Sequence, residues 1–476
     1  MSFEIRLGPR WPPFALSLAA ACAAAPALLL AQAATGKTPS YCAVQSAGTK
    51  VEVSRPQASD APIDDVNWFA RPVPNPQRHW IVGFASHNLN YLYDLTSGVR
   101  IRIPDKSDAV ATPDGRFMTV PSHYTATATV NFYDLPTLLD RLAAGKDASD
   151  VPPVFAHKHA DLGDAYYQSI GVVSHAAERG VDTTVYRMMF SGARHPQPPG
   201  FRIVDYRVSR SGAGAVTVEP SEPMRLCPEI VKDMATPFIS KDGRYVVAHD
   251  DSKPGTPASL KLFEITGTDP AAGTTSCAQR LDFGFAAGKA DFSYDGSQLT
   301  FHISKHDYLT VFIDGGIKRP AITDIVVVDL DRRPSGEYVG IKGMARVTTS
   351  QAEGIGNYFP AFFPDGKLFY IANDVPKDAT DAKRFKLVVV DPSRDVRMAS
   401  FFKDDSRRQL AGAIGELWRA SCAPEQKEFK PGEAPWAFMS LKPESCRKLV
   451  EAKWTAAMPA KAELLAACSL ESKGSR

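Results

Sequence analysis

An Asp-Gly turn set between two apolar runs recurs four times in this 476-residue chain, and that recurrence restricts the possible folds more than any other feature. The copies are "ATPDGRFMTVPSHY" around Gly115, "ISKDGRYVVAHDD" around Gly243, "FSYDGSQLTFHIS" around Gly296 and "FFPDGKLFYIAND" around Gly366. Glycine accepts the positive φ that such a turn requires, and the flanking runs are rich in Val, Phe, Tyr and Ile. Each copy is therefore predicted to be a hairpin.

A second element recurs with the first: a short apolar strand closed by an acid, at "YLYDL" (Asp94), "NFYDL" (Asp134), "RIVDY" (Asp205), "KLFEI" (Glu264), "VVVDL" (Asp329) and "LVVVD" (Asp391). Successive acids lie 40, 71, 59, 65 and 62 residues apart. Two units lack the Asp-Gly turn but keep the strand pair, "HWIVGFASHN…LNYLYDLTSG" and "YYQSIGVVSH…FRIVDYRV". Repeats of this length, each holding about four short strands, predict an all-β chain folded as a six-bladed β-propeller. A single blade cannot cover both of its faces, so neighbours must pack around an axis. The apolar runs are accordingly dense rather than alternating. The acids are expected to end their strands by accepting from turn amides.

The segments "FSYDGSQLTFHIS" and "YFPAFFPDGKLFYIAND" resemble the WD40-like (PD40) repeat of the TolB-like family, whose blades read S-P-D-G-K-x-I-A-F-x-S before a strand ending in Asp. The resemblance spans roughly Asp65 to Ser400 and is carried by the turns. It implies a six-bladed propeller of an exported protein, and a partner-binding role on one propeller face. The α/β domain that precedes the propeller in TolB has no counterpart between Ala34 and Asp65.

Outside the repeats, residues 1–33 place Arg6 and Arg10 before an apolar run from Trp11 to Leu30 and the triplet Ala31-Gln32-Ala33, the pattern of a secretory signal cleaved near Ala33. Lipidation at Cys22 is the weaker alternative, because Leu18 stands one place too early for a lipobox. The expected organisation is a signal at 1–33, an extension at 34–64, the propeller at 65–403 and a helical region at 404–476, with the mature protein periplasmic or secreted and without a transmembrane span. In the last region Leu410, Ile414, Leu417, Trp418 and Cys422 fall on one helical face, and "KPESCRKLVEAKW" and "AKAELLAACSL" read as two further helices, so a small cysteine-containing helical appendage is expected. "LPTLLDRLAAGKDASD" reads as another helix inside the second repeat.

Removing the signal leaves Cys42, Cys227, Cys277, Cys422, Cys446 and Cys468. An even number in an exported chain points to disulfides, and none of the spacings is CxxC, CxxCH or a zinc finger. Cys227 with Cys277, which flank one repeat, is the expected pair. A net charge of +2 argues against a dedicated nucleic-acid or anionic-membrane binder, since both need a concentrated basic face. Enzyme signatures such as GxSxG, HExxH, GxxxxGK[ST] and GxGxxG are absent.

Histidine is the chemistry-bearing residue with an uneven distribution. His87, His123, His175, His249 and His302 lie at or just past what reads as the second strand of a repeat, with Asn373 in that region of the last repeat and His306 just beyond His302. Counted from the turn glycine, His249 and His302 stand at +6 and His123 at +8, so they point to one side of their strands. "FAHKHAD" adds His157, His159 and Asp161 on a connection between repeats. Converging imidazoles would suit a transition metal, with His249, His302 and His123 as the first ligands, and Asp250 with Asp251 would offer oxygen to calcium. The competing reading is that each histidine caps its own blade. Two functions are thus expected: an exported scaffold that binds an envelope protein or a small ligand on the propeller face without catalysis, or a metal- or cofactor-binding propeller acting as enzyme or carrier.

Overall fold

Each of the Asp-Gly turns joins the first to the second strand of an antiparallel meander in the computed structural model of this chain. The structure describes residues 49–51, 66–75, 78–85, 89–105, 109–121, 129–158, 166–191, 201–212, 214–228, 234–250, 259–283, 287–304, 323–348, 355–374, 385–392, 405–422 and 443–469. The chain divides into Met1–Thr38 and Pro39–Arg476, and all of these residues belong to the second unit. The expected signal and Cys42 lie outside the described residues.

Four strands, β2 (Val66–Val73), β3 (Trp80–Ala85), β4 (Leu89–Asp94) and β5 (Arg100–Arg102), form the first sheet in chain order. The second is β6 (Val110–Ala111), β7 (Phe117–Pro121), β8 (Thr129–Asp134) and β9 (Phe155–Lys158). Two further meanders share one sheet. They are β10 (Tyr166–Glu178), β11 (Val181–Ser191) and β12 (Phe201–Ser211) with β13 (Val216–Pro220) and β14 (Met224–Arg225), and β15 (Met234–Ile239), β16 (Tyr245–Asp250), β17 (Ser259–Asp269) and β18 (Thr274–Asp282). A single parallel bridge between Arg225 and Thr274 links them, beside the Cys227–Cys277 disulfide that the spacing predicts. Next come β19 (Gly288–Phe292), β20 (Gln298–Ser304), β21 (Thr323–Arg332) and β22 (Tyr338–Arg346). The last sheet is β23 (Ile355–Phe362), β24 (Leu368–Asp374), β25 (Phe385–Val390) and, on its outer edge, β1 (Thr49–Val51) from the start of the chain.

The first strands touch in sequence, β2 to β6, β6 to β10, β10 to β15, β15 to β19, β19 to β23 and β23 back to β2, so they close a ring. Meanders radiating from a closed ring of first strands make a β-propeller. β1 supplies the outermost strand of the last sheet, Lys50 standing opposite Val388. Sequence reading left residues 34–64 outside the propeller, because three residues without a turn signal carry no recognisable strand pattern.

Turn chemistry is uniform. Gly115, Gly243, Gly296 and Gly366 all have φ between 68° and 80°, and each N–H donates to the carbonyl three residues back. The aspartate before each glycine accepts from the backbone N–H two residues on: Arg116, Arg244, Ser297 and Lys367. The acid-ended strands prove to be third strands, and their acids behave less uniformly than expected. Asp94 accepts from the N–H groups of Thr96 and Ser97, and Asp134 caps helix α1 (Leu135–Ala143) through Thr137. Asp205 and Glu264 instead lie inside longer strands and pair with arginines, Arg187 for the first and both Arg244 and Arg280 for the second. Burial raises the Glu264 carboxyl, but hydrogen bonds from the two guanidinium groups outweigh it and leave the group below the usual glutamate range.

Helix α1 does more than decorate a rim. Its buried Leu135, Leu138 and Leu142 join Val73, Trp80 and Leu92 of the first sheet in one apolar cluster. Three more helices, α2 (Asp405–Cys422), α3 (Pro443–Lys453) and α4 (Lys461–Ser469), pack around Ile414, Trp418, Leu449 and Leu464 with a Cys446–Cys468 disulfide inside. Cys422 is disulfide-bonded as well.

Backbones of neighbouring meanders meet closely at one point. A Cβ on Gly171 of β10 would lie 2.4 Å from the Gly243 nitrogen and from the Ser240 oxygen, and the Val172 N–H donates across the same junction to the Lys241 carbonyl. Gly171→Ala should destabilise the protein by about 3 kcal/mol, read as a lowered unfolding midpoint, because only backbone stands in the way.

The first and last sheets meet through His79, whose Nε2 lies 2.8 Å from Asp365 Oδ2 and whose ring lies 4.6 Å from that of Phe363. Burial works against ionising Asp365, yet the hydrogen bonds from His79 and Lys367 hold its carboxyl below the usual aspartate range. A depressed folded pKa contributes stability above the unfolded value of about 4 and loses it as pH falls through the folded value. The unfolding midpoint should therefore drop between pH 5 and about pH 3, and the drop should be shallower in Asp365→Asn.

Candidate functional site

The ring centre is lined by side chains from every first strand, the charged and aromatic ones coming from β2, β15, β19 and β23. Arg71, Val110, Ser169, Ile239, Asp291 and Phe362, one from each strand, line a void of about 430 Å³ that includes its solvent-open part. Five of these strands also break register against the second strand at matching levels, between Asn67 and Ala70, Tyr166 and Ser169, Ala235 and Phe238, Gly288 and Asp291, and Tyr358 and Ala361. An irregularity of this kind turns a side chain away from the regular pleat. Here the bends lie next to Arg71, Ser169, Phe238, Asp291 and Ala361, the residues that line the ring centre.

Asp291 is the node of the site. Its carboxylate, in a residue only 5% exposed, accepts from Lys241 Nζ at 2.6 Å and from the Phe362 N–H at 2.9 Å. One side chain on β19 thereby holds the turn that follows β15 on one side and β23 on the other. Lys241 also stands 5.1 Å over the Tyr294 ring, and burial, helped by the charge of Asp291, pushes the Tyr294 phenol well above its ordinary pKa. One junction back, Ser169 Oγ accepts from the Ile239 N–H at 2.6 Å.

A second space, about 250 Å³ with its open part, is lined by Arg71, Phe238, Lys289, Ala290 and Phe359 to Ala361. Each cation sits over a ring: Arg71 Cζ lies 5.1 Å from the Phe238 centroid, and Lys289 Nζ 5.6 Å from that of Phe359. Lys289 and Phe359 have φ of 54° and 51°. That left-handed conformation is unfavourable for bulky side chains and persists only where surrounding structure enforces it.

The histidines singled out by sequence spread over several sheets. His302 is 1% exposed in β20, its ring 5.9 Å from that of Phe359, which sets it against this second space. His157, at the end of β9, is buried and places Nδ1 2.8 Å from the Tyr206 hydroxyl on β12, a tie between two sheets. His175 does not end a second strand. It lies in β10, a first strand, opposite Thr184, and its Nδ1 lies 3.0 Å from Thr184 Oγ1 and 3.2 Å from Asp182. The reason is the length of that hairpin, which runs on to an Arg179-Gly180 turn with φ of 51° and 77° and so puts His175 at the turn end of its sheet. His249 and His302 do share a register, opposite Ala235 and Gly288 at the bends, as their common +6 spacing implies. The backbone of Asp250 ends β16 in a ladder pair with Met234, and that of Asn373, one residue before the end of β24, pairs with Gly356. His87, His123, His159, Asp161 and His306 lie outside the described residues. Among the described residues no group of three His, Cys, Asp or Glu side chains is placed to hold a metal ion.

Sequence reading passed over Arg71, Lys241, Lys289 and Asp291. Only "SKDG" and "KADFSYDG" hinted at them, since a charge just before or after a turn is ordinarily solvated surface.

No family model matches the sequence, and no curated protein does. Among solved structures the chain is similar to TolB from Acinetobacter baumannii, at 12% identity over 67% of this chain and 63% of that one, with a TM-score of 0.29. The chain thus spans less than two thirds of the TolB length. It is similar also to the hydrazine synthase of Kuenenia stuttgartiensis, at 12% identity over 67% and 80% of the two chains with a TM-score of 0.31. A third is the β-propeller domain of the trilobed protease from Pyrococcus furiosus, which has an open velcro topology, at 10% identity, 68% and 81% coverage and a TM-score of 0.31. Scores this low add nothing to the propeller assignment, which stands on the strand order and the closed ring.

Removing the node should be felt across three sheets. Asp291→Ala leaves Lys241 and the Phe362 N–H without their acceptor and should lower stability by about 3 kcal/mol in thermal or urea unfolding. Asp291→Asn, whose amide oxygen can keep one of the two bonds, should lose about half as much.

Proposed function

We propose that the protein is an exported binding module: a six-bladed propeller with a small C-terminal helical appendage that docks an envelope protein or a small ligand on its ring face and has no catalysis of its own. The observation that carries this reading is the convergence of first-strand side chains, charged and aromatic, on the ring centre, the place where ligands meet this architecture. Fold alone would not carry it. Export to the periplasm is supported by the composition of residues 1–33 and by the disulfides Cys227–Cys277 and Cys446–Cys468, which persist in oxidising compartments. No helix among the described residues is long and apolar enough to cross a membrane.

The test combines location with contact. Intact mass of protein recovered from the periplasm should begin at Ala34. A photo-crosslinking residue replacing the exposed Lys158, at the β9 end of the ring, should give a discrete product, and one replacing Lys367, in an Asp-Gly turn at the other end, should not. Uncleaved protein confined to the cytoplasm, or the absence of a discrete product from position 158, overturns the reading. Stoichiometric metal that disappears in a His249→Ala/His302→Ala double variant would replace it with a metal-binding function.

A further inference from the structure

The β10–β11 hairpin continues past the turn beside it and leaves one edge of a first strand uncovered. Residues 173–180 are all exposed, and the apolar side chains of Val173 and Val181 are 41% and 39% exposed. The hairpin closes through the two-residue Arg179-Gly180 turn, both at positive φ, so Glu178 and Val181 form a pair that exchanges both backbone hydrogen bonds. Alternation makes Ala176 and Thr183 the next such pair and turns the N–H and C=O groups of His175 and Ala177 away from β11. The register shift between Val172 and Ser174 carries this phase down the strand, where the outward Val172 N–H donates to the Lys241 carbonyl. Beyond that bond, no other element among the described residues bonds to the backbone of Val173 to Glu178 on this side.

An uncovered edge pairs with a strand that reaches it unless a lysine, a proline or a covering segment blocks it. Val173 to Glu178 include neither lysine nor proline, and Ser174, Ala176 and Ala177 are small enough to admit a close neighbour. The edge also matches itself. A two-fold axis at Ala176 sets His175 opposite Ala177 of a second copy and Ala177 opposite its His175, so outward groups meet outward groups and each of these pairs exchanges two hydrogen bonds. The same register brings Arg179 level with Val173 of the second copy. Val173 packs beside Gly243, whose neighbour Asp242 has a side chain 44% exposed and holds Arg332 at 3.3 Å. Arg179 is exposed and in no ion pair among the described residues. Opposite charges therefore meet at both ends of the paired strands.

We propose that the free edge of β10 pairs antiparallel with the same edge of a second copy of this chain, giving a two-fold dimer joined turn end to turn end. Pairing occupies the edge of both copies, so assembly stops at two. The symmetric register and the match of Arg179 with Asp242 favour a second copy over a foreign strand. This surface lies at the end of the ring opposite Lys158 and is independent of the binding-module reading.

Sedimentation equilibrium of the purified protein tests it. A monomer–dimer equilibrium is expected with a dissociation constant of about 10 μM, because two short strands make a small interface. Ala177→Pro removes an outward N–H, a change that an edge strand tolerates, and should weaken dimerisation about 10-fold, or about 1.4 kcal/mol, at an unchanged unfolding midpoint. Arg179→Asn keeps a residue suited to positive φ and removes the charge, and it should weaken the dimer and reduce its dependence on salt. Ala176→Cys sets two thiols directly across the axis with Cα atoms about 4.5 Å apart, so mild oxidation should give a covalent dimer. Ser174→Cys, which faces Glu178 of the second copy, should not. A monomer at about 100 μM, a dimer left unweakened by Ala177→Pro, or equal cross-linking from positions 174 and 176 overturns the proposal. A monomer that instead takes up an extended peptide along this edge overturns it as well.

Discussion

Every meander in this protein has two apolar faces, and the structure depends on each face being covered by a neighbour. Adjacent residues on one strand serve opposite interfaces: Val246 packs with Phe201 and Ile203 on one side, and Val247 packs with Phe292 and Phe301 on the other. Phe117 and Met118 divide in the same way, as do Leu368 and Phe369. A row of meanders would leave two such faces in water at its ends. Closing the ring removes them, and burial at about 25 cal/mol per Å² makes that closure the dominant contribution to stability.

Closure is then secured by polar groups where the apolar clusters stop. Asp291 holds the strands on either side of it at the centre. At the turn edge Arg116 reaches Asp182, Arg210 reaches Asp134, Arg332 reaches Asp242 and His79 reaches Asp365, each from one meander to the next. Partly exposed pairs contribute modestly to stability, but their geometry fixes the angle between neighbouring sheets. The central groups matter more, because water is scarce there and an unpaired charge has no other partner. The features that lock the ring and those that make its centre attractive to a ligand are therefore neighbours on the same strands: Ala290 lines one space, Asp291 ties the next junction.

Local signals in the sequence were faithful where the physics is local. The Asp-Gly turns, the helix over Leu135–Ala143, the three C-terminal helices and the Cys227–Cys277 pair all follow from spacing, φ requirements and periodicity. The candidate site was far less legible. Histidine is conspicuous in a sequence, and of the described ones His157 ties two sheets and His175 lies at the turn end of its hairpin. His302 approaches the ring centre, through Phe359. Arg71, Lys241 and the β19 pair Lys289 and Asp291 come from three different sheets, and no spacing along the chain announces that the three sheets bring them together.

By itself, then, the amino-acid sequence determined the unit: a strand, an Asp-Gly turn, two dense apolar strands with an acid near the end of the second, repeated until the chain could enclose an axis. Glycine's access to positive φ and the preference of branched and aromatic side chains for strands act within a few residues, so no distant contact was needed to read them. Tertiary structure alone decided that Thr49–Val51 would complete the last sheet, that the first strands would bend beside the axis, and that an aspartate, two lysines and an arginine would be drawn into the centre. Those outcomes depend on ring closure, which brings together residues hundreds of positions apart, and no local preference specifies which of them will meet.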